Sequence, residues 1–407
     1  MNNNLHPPCP VCSSSSSETI LTLDCGTIDN SRLYPTVRLM ACTECGHTFN
    51  DLASDEICGL GEYYNNEYAP ANLESVVKEG DLPGSTGEYT HGRYAHLYDL
   101  LAPHLNNCAA VLDVGCAVGG FLDFLKQRGV SSLYGVDMTE AYVAKAREKN
   151  YVIELGDAEK LPFADSLFDV LVIEQVMEHL LNPGRAFKEA ARVLKAGGVL
   201  CIGVPDAARY AEFYYFDFYW LLMREHIQHF DIYALSRLAS SHGFELIEFR
   251  QGALPIMGEK MVMPNLSATF RYTAHAETAA VERRTGKLSQ SMKAYIATET
   301  ARLDEKRMLF KEITESQRPV YAWGIGREFL YLYEAAGLKN CNLAGCIDMN
   351  PFKQRTVRLS GKPVEPGCIL EKAGQEGRLF ITAIAHEEPI RRSAIQTGFK
   401  GEIVSLT

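Results

Sequence analysis

The sequence predicts an α/β protein in three parts: a small cysteine-bearing module, a central domain with a parallel sheet, and a second α/β unit. Two pairs of cysteines lie in residues 1–70, where no long amphipathic helix is predicted. Over residues 71–250, short apolar runs alternate with helical stretches, which is typical of parallel strands covered by helices. A further strand–turn–helix pattern follows within residues 251–407. We therefore expect three domains with these boundaries.

Composition and charge are those of an ordinary globular protein. Hydrophobic residues make up 46% and charged residues 22% of the 407 residues, enough for a full core. The net charge of −11 disfavours binding to nucleic acid or to an anionic membrane. The sequence has no apolar run of about 18 residues, and its N-terminus lacks the basic and apolar regions of a signal peptide. We therefore expect a cytoplasmic protein without nucleic-acid or membrane partners.

The first module carries two C-x-x-C pairs, Cys9-Pro-Val-Cys12 and Cys42-Thr-Glu-Cys45. Two intervening residues let both thiolates of a tight turn face one ion, and two such turns complete a tetrahedral zinc site. A redox dithiol or unrelated core cysteines would not account for two matched pairs. Four protein ligands leave no open coordination position, so the predicted zinc is structural.

At the start of the central sheet, a buried strand enters a glycine-bearing turn (VLDVGCAVGG, residues 111–120). Gly115 and Gly119 let a ligand approach the backbone. The turn lacks the second glycine of the dinucleotide-binding fingerprint G-x-G-x-x-G. Asp113, just before it, would repel a phosphate. It suits a cationic ligand with an amino group, such as S-adenosylmethionine (SAM).

The later strands of this domain also end in polar residues. Asp137 ends the next strand, where a carboxylate can accept hydrogen bonds from both ribose hydroxyls. Asp157 ends the following strand, where it can meet an adenine amino group. Beyond the glycine turn and Asp113, the predicted cofactor-binding residues are Asp137, Met138, Asp157, Ala158, Glu174 and Gln175.

Together these positions resemble the class I SAM-dependent methyltransferases over residues 90–205. The resemblance rests on Asp113-Val-Gly115, on Asp157-Ala158 followed by Leu161-Pro162-Phe163, and on the phrase RVLKAGG at residues 192–198. It implies a Rossmann-like enzyme domain that binds SAM. An α/β domain of the same ancestry that has lost its cofactor is the alternative.

Two Glu-His pairs are candidates for acid–base chemistry. In the family just named, a pair such as Glu178-His179 is common scaffold at the start of a helix. The second pair, Glu225-His226, follows an aromatic run. An imidazole with a nearby carboxylate is the usual pattern of an oriented general base. Local sequence alone leaves a helix-start contact or core packing equally open for this second pair.

The order of the parts favours the catalytic interpretation. A paired C-x-x-C module, a class I core, an E-H-x-x-H-F segment and a C-terminal α/β domain resemble the sugar C-methyltransferases over nearly the whole chain. These enzymes act on nucleotide-linked keto-sugars. The resemblance implies that His226, with Glu225 beside it, removes a proton next to the sugar ketone. The enolate carbon then attacks the methyl group of SAM, and positioning and enolate stabilisation are the main tasks of the protein.

One position departs from that family, in which a tyrosine usually lies three residues before the base. Met223 stands there in this chain. The phenols near in sequence or in the N-terminal part are Tyr63, Tyr64, Tyr68, Tyr215 and Tyr219. Two alternatives therefore stay open: methylation of an oxygen or nitrogen in another polar metabolite, and a non-catalytic scaffold with the same fold.

The C-terminal unit contains the turn Gly324-Ile-Gly326, with Asp348 at the end of the next strand. It lacks the third glycine of a dinucleotide site, since Phe329 and Leu330 occupy that region. We expect a platform for the nucleotide end of the substrate, or else a structural domain that closes the cleft. An independent cofactor site is the least favoured interpretation. The long helix expected at residues 287–315 is a spacer or an oligomer contact, in a monomer or a homodimer.

Overall fold

The computed structural model describes residues 7–75, 82–213, 219–255, 262–274 and 287–406. In these ranges the strands are β1 (Ser17–Asp24), β2 (Thr36–Cys42), β3 (Thr48–Asn50), β4 (Ala110–Val114), β5 (Ser132–Asp137), β6 (Val152–Leu155), β7 (Phe168–Glu174), β8 (Leu194–Pro205), β9 (Gln228–His229), β10 (Phe244–Pro255), β11 (Val262–Tyr272), β12 (Val320–Trp323), β13 (Leu343–Ile347), β14 (Arg358–Leu359), β15 (Lys362–Pro363), β16 (Arg378–Ile381) and β17 (Glu402–Val404). The helices are α1 (Ser54–Tyr63), α2 (Ala69–Leu73), α3 (Glu88–Leu101), α4 (Gly120–Lys126), α5 (Glu140–Arg147), α6 (Pro183–Val193), α7 (Ile232–Ser240), α8 (Lys287–Ser316), α9 (Arg327–Glu334), α10 (Pro351–Thr356) and α11 (Glu387–Gln396).

A seven-stranded sheet forms the centre of the molecule, in the order β10-β11-β8-β7-β4-β5-β6. Five neighbouring strands of this sheet are parallel, namely β8, β7, β4, β5 and β6. Strand β11 runs antiparallel to β8 and β10. All five residues of β4 are buried, as expected for a parallel strand covered on both faces. The predicted α/β class and parallel sheet are confirmed. The sheet extends to Tyr272, beyond the boundary at residue 250 that the sequence analysis draws.

The strand order reverses at β4, because β5 lies on one side of it and β7 on the other. In open α/β sheets, ligands bind beyond the carboxyl ends of the strands at such a switch point. The glycine turn, Asp137 and Glu174 all follow or end strands at this edge. The topology therefore places the candidate cofactor residues together.

The N-terminal sheet is antiparallel, in the order β1-β2-β3-β9. Its fourth strand comes from far along the chain, since β9 lies two residues after His226. A π-helical turn at Tyr64–Tyr68 joins α1 to α2. The N-terminal module is thus built directly onto the segment that carries the second Glu-His pair.

A second parallel sheet, β13-β12-β16-β17, forms the C-terminal unit. The long helix predicted at residues 287–315 is α8, and it leads into this sheet. Its apolar face packs in one core with residues of the N-terminal sheet and of β12 and α9, including Leu39, Tyr219, Tyr295 and Tyr331. No helix of the described ranges has the length and apolarity needed to cross a membrane.

Candidate active site

The four predicted zinc ligands converge in the N-terminal module. Cys9 and Cys45 have sulfurs 3.6 Å apart, as do Cys12 and Cys42, and all four sulfurs lie within 4.8 Å of one another. Zinc–sulfur bonds of about 2.3 Å give a tetrahedron with sulfur–sulfur edges of about 3.8 Å. Both turns are closed by backbone hydrogen bonds, such as Gly46 N to Cys42 O at 2.9 Å. The donor set and its spacing therefore fit zinc.

The backbone conformation of the turn after β4 requires glycine at two positions. Gly115 and Gly119 have φ angles of +79° and +78°, in the left-handed region that other residues avoid. A Cβ atom on Gly115 would also lie 2.3 Å from a methyl carbon of Val176. Asp137 holds the turn from the neighbouring strand, because its carboxylate accepts hydrogen bonds from Ala117 N and Thr139 N, each at 2.9 Å.

Three buried carboxyl groups give this strand edge a negative potential. Burial, and then repulsion from Asp137 and Glu174, raise the pKa of Asp113 to about 7. Burial also raises the pKa of Asp137 and of Glu174. At Glu174 the guanidinium of Arg93, 3.5 Å from the carboxylate, opposes this rise. Glu174 Oε2 and Gln175 Nε2 are buried without a hydrogen-bond partner. Such a site favours a ligand with positive charge and polar groups, and SAM has both.

The other predicted cofactor residues lie further out. Met138 follows Asp137 and is 41% exposed, so its side chain is free to cover a ligand. Asp157 is exposed beyond β6 and accepts a hydrogen bond from Glu159 N. The methyl group of Ala158 packs in the core, which leaves only its backbone for a ligand.

His226 is 4% exposed and lies beside His179, with their ring centroids 4.9 Å apart. Its Nδ1 is buried and has no hydrogen-bond partner among the described residues. Burial, followed by His179, His229 and Arg327, lowers the pKa of His226 well below its usual value. The imidazole is therefore uncharged at neutral pH.

The sequence suggested that Glu225 provides the carboxylate near the His226 ring, but another residue does so. The side chain of Glu225 accepts a hydrogen bond of 2.6 Å from Tyr63, and Arg327 helps to lower its pKa against the effect of burial. The neighbouring carboxyl group is that of Glu178, from the first Glu-His pair. Glu225 lies in a turn of the chain, and its carboxylate is bound by Tyr63 and not by the His226 ring.

Met223 provides no phenol, and tyrosines from the N-terminal part lie near the two Glu-His pairs instead. Tyr63 binds Glu225, and the hydroxyl of Tyr64 lies 3.3 Å from Nδ1 of His179. Tyr68 packs against both rings. Tyr219 does not reach the site, because its hydroxyl pairs with Thr300 at 2.8 Å. Tyr215 lies outside the described residues.

Two arginines at the site were missed by the sequence analysis. Arg93 of α3 approaches Glu174, and Arg327 begins α9 and acts on the charge of Glu225. Arg327 follows the turn Gly324-Ile-Gly326, where Asp348 accepts a hydrogen bond from Ile325 N at 3.0 Å. A carboxylate on that amide opposes phosphate binding at the turn. The C-terminal unit thus contributes a positively charged side chain to the site, and no local sequence motif predicted this contribution.

Residues 87–248 match a protein family that is described as a methyltransferase domain. A probable SAM-dependent methyltransferase of Mycolicibacterium smegmatis is 34% identical over 136 residues, 32% of this chain and 51% of that protein. The ubiquinone/menaquinone biosynthesis C-methyltransferase UbiE of Roseobacter denitrificans is 33% identical over 115 residues, 26% of this chain and 45% of that protein. The chain thus spans about half the length of these curated relatives.

Among solved structures, a SAM-dependent methyltransferase from Methanosarcina mazei covers 44% of this chain and 99% of its own, with 20% identity and a TM-score of 0.38. The family match covers the glycine turn, all the strand-end carboxyl groups and both Glu-His pairs. Residues 87–248 are therefore a class I SAM-dependent methyltransferase domain, an enzyme domain extended at both ends by further structure.

Proposed function

We propose that this protein is a SAM-dependent C-methyltransferase of a nucleotide-linked deoxy-keto-sugar, with His226 as the base. The observation that carries the proposal is the buried Nδ1 of His226, which has no hydrogen-bond partner in the described part of the chain. A lone pair fixed in a buried site is what proton removal from carbon requires. A relative named as a C-methyltransferase supports the reaction type for the domain.

The residues of the chain divide the work between binding and proton transfer. Asp113, Asp137 and Glu174 would hold SAM, which supplies a methyl group bound to a cationic sulfur. His226 accepts the proton from the carbon next to the ketone. Tyr64, whose hydroxyl lies 3.3 Å from Nδ1 of His179, would donate a hydrogen bond to the developing enolate oxygen. Tyr63 keeps Glu225 fixed as an anion near Arg327.

We also propose that zinc bound by Cys9, Cys12, Cys42 and Cys45 has a structural role. The four thiolates would fill its coordination sphere and leave no position open for a substrate.

Proton exchange tests the reaction type directly. A nucleotide-linked 4-keto-6-deoxy-sugar is incubated in D2O with the protein and S-adenosylhomocysteine, which has no methyl group to transfer. We expect deuterium to enter at the carbon next to the ketone. Methyl transfer to a sugar without such exchange, and without loss of label from a deuterated substrate, would show O- or N-methylation instead. This second function is favoured by Met223, the departure from the sugar C-methyltransferases.

Asp137→Ala should weaken SAM binding about 10–100-fold, because one or two charge-assisted hydrogen bonds to the ribose are lost. The same change releases Ala117 N and Thr139 N, so the melting temperature should also fall. Isothermal titration calorimetry with SAM measures the affinity. Asp55→Ala, at an exposed position in the first turn of α1, is the control and should bind SAM as the wild type does. Equal affinity in the wild type and Asp137→Ala would contradict the assignment of β5.

SAM affinity should fall on acidification below about pH 7. The pKa of Asp113 is raised to about 7 in the SAM-free protein, so its carboxyl group is protonated below that pH. A bound cation favours the ionised form, and binding must then expel a proton. The dissociation constant should therefore rise by up to about tenfold per pH unit between about pH 7 and pH 5.5. Titrations of Asp113→Asn should show a flatter profile, and identical slopes would remove Asp113 from the SAM site.

A further inference from the structure

Glu178, His179 and His226 form a buried cluster that the proposed reaction does not fully use. One donor atom from each residue lies within 4.8 Å of the other two. Nε2 of His179 is 3.9 Å from a carboxylate oxygen of Glu178. Glu178 is 1% exposed and His226 4% exposed, so water does not solvate these two side chains freely.

In the described part of the chain, the hydrogen bonds of the cluster leave the atoms that face one another without a partner. His179 uses Nδ1 to donate to the Glu225 carbonyl at 2.8 Å, which leaves the lone pair on Nε2. Nδ1 of His226 and both carboxyl oxygens of Glu178 are buried without a hydrogen-bond partner among the described residues. Three candidate ligand atoms, one from each residue, therefore lie close together.

Such an arrangement is costly without a cation. Buried polar atoms are almost always hydrogen-bonded, and leaving several unpaired in one place costs free energy for each. A metal-binding histidine commonly donates its other ring N–H to a backbone carbonyl, which fixes the tautomer and the ring. His179 does so through the Glu225 carbonyl. This contact leaves its Nε2 on the side of Glu178, as a ligand.

We propose that Glu178, His179 and His226 form a second metal site, for a divalent transition-metal ion such as Fe²⁺, Mn²⁺, Co²⁺ or Zn²⁺. Two imidazoles and one carboxylate suit these ions and leave coordination positions open. The site differs from the four-cysteine site in having no sulfur ligand. It also adds to the proposed function a regulatory consequence: Nδ1 of His226 binds either the ion or the proton, so an ion at this site blocks proton removal.

A cobalt titration tests the site without SAM or any acceptor. The protein, with its tightly bound metal left in place, is freed of weakly bound ions by dialysis and titrated with Co²⁺. We expect one equivalent to bind with visible d–d absorption and without a thiolate-to-cobalt charge-transfer band. Glu178→Gln should reduce the affinity for this equivalent at least tenfold. Glu312→Gln, at an exposed position on α8, should bind as the wild type does.

Binding only with a thiolate band would overturn the proposal, because the cobalt would then have entered the four-cysteine site. Unchanged binding by Glu178→Gln would overturn it as well. His179→Asn removes a second ligand and should also abolish binding, and SAM affinity and melting temperature show whether either variant is folded. Metal binding that depends on Glu178, combined with normal proton exchange by His226→Gln, would support the site and refute the base. The two proposals can therefore fail separately.

Discussion

His226→Gln should reduce proton exchange into a nucleotide-linked keto-sugar by about 10²–10⁴-fold, the usual contribution of a general base. Glutamine fills a similar volume but offers an amide nitrogen or oxygen that does not accept a proton at neutral pH. SAM affinity should remain within about threefold of the wild type, because the glycine turn is held by Val136 and Asp137 and not by the His226 segment. Exchange is followed by NMR in D2O with S-adenosylhomocysteine present.

The control for this variant is His242→Gln, two residues after α7, whose ring contacts Phe187. It should keep both exchange and SAM binding. A loss of SAM binding in His226→Gln equal to the loss of exchange would identify His226 as a structural residue. Retained exchange would exclude it as the base, and would move attention to the phenols of Tyr63 and Tyr64.

The parallel sheet and the cofactor edge were predictable because their signals are local. An apolar strand followed by a glycine turn is readable in ten residues, and Asp113, Gly115 and Asp137 lie where the pattern expected them. The same holds for the two C-x-x-C turns, whose spacing alone predicts that the thiolates can meet.

The partners of His226 were not predictable, because they come from distant parts of the chain. Tyr63 and Glu225 are separated by 162 residues in sequence, and no motif links them. Arg327 belongs to a turn that looked like part of a nucleotide site. The adjacent Glu225 seemed the natural partner of the imidazole, yet its carboxylate binds Tyr63, and the carboxyl group near the ring is that of Glu178. Side-chain direction, not spacing, decides such pairs.

The largest expected effect away from the reacting atoms is that of Cys45→Ser. This variant should lose the metal of the four-cysteine site, and proton exchange should fall by about 10²-fold, as expected for a misplaced catalytic group. Metal content is measured by inductively coupled plasma mass spectrometry and exchange by NMR. Cys108→Ser, at an exposed cysteine outside the module, is the matched control and should change neither value.

The reason is a short series of contacts from the metal site to the base. The second C-x-x-C turn leads directly into β3, which pairs with β9 through Thr48–His229 and Phe49–Gln228. Asn50 then bonds the His226 carbonyl through its side chain at 2.9 Å and the Ile227 carbonyl through its backbone at 2.8 Å. Loss of the metal would free this edge, and with it the backbone that aims the imidazole.

Asn50→Ala separates this transmission from general unfolding of the module. It removes the side-chain bond to His226 and leaves all four cysteines in place. Exchange should fall while metal content stays at the wild-type level. SAM affinity should survive in both variants, because Gly115, Ala117 and Gly120 donate backbone hydrogen bonds to Val136, Asp137 and Gly84, outside the module. Full exchange in metal-free Cys45→Ser would mean that β9 holds the base without help from β3. Strands β1 to β3 would then have no part in catalysis.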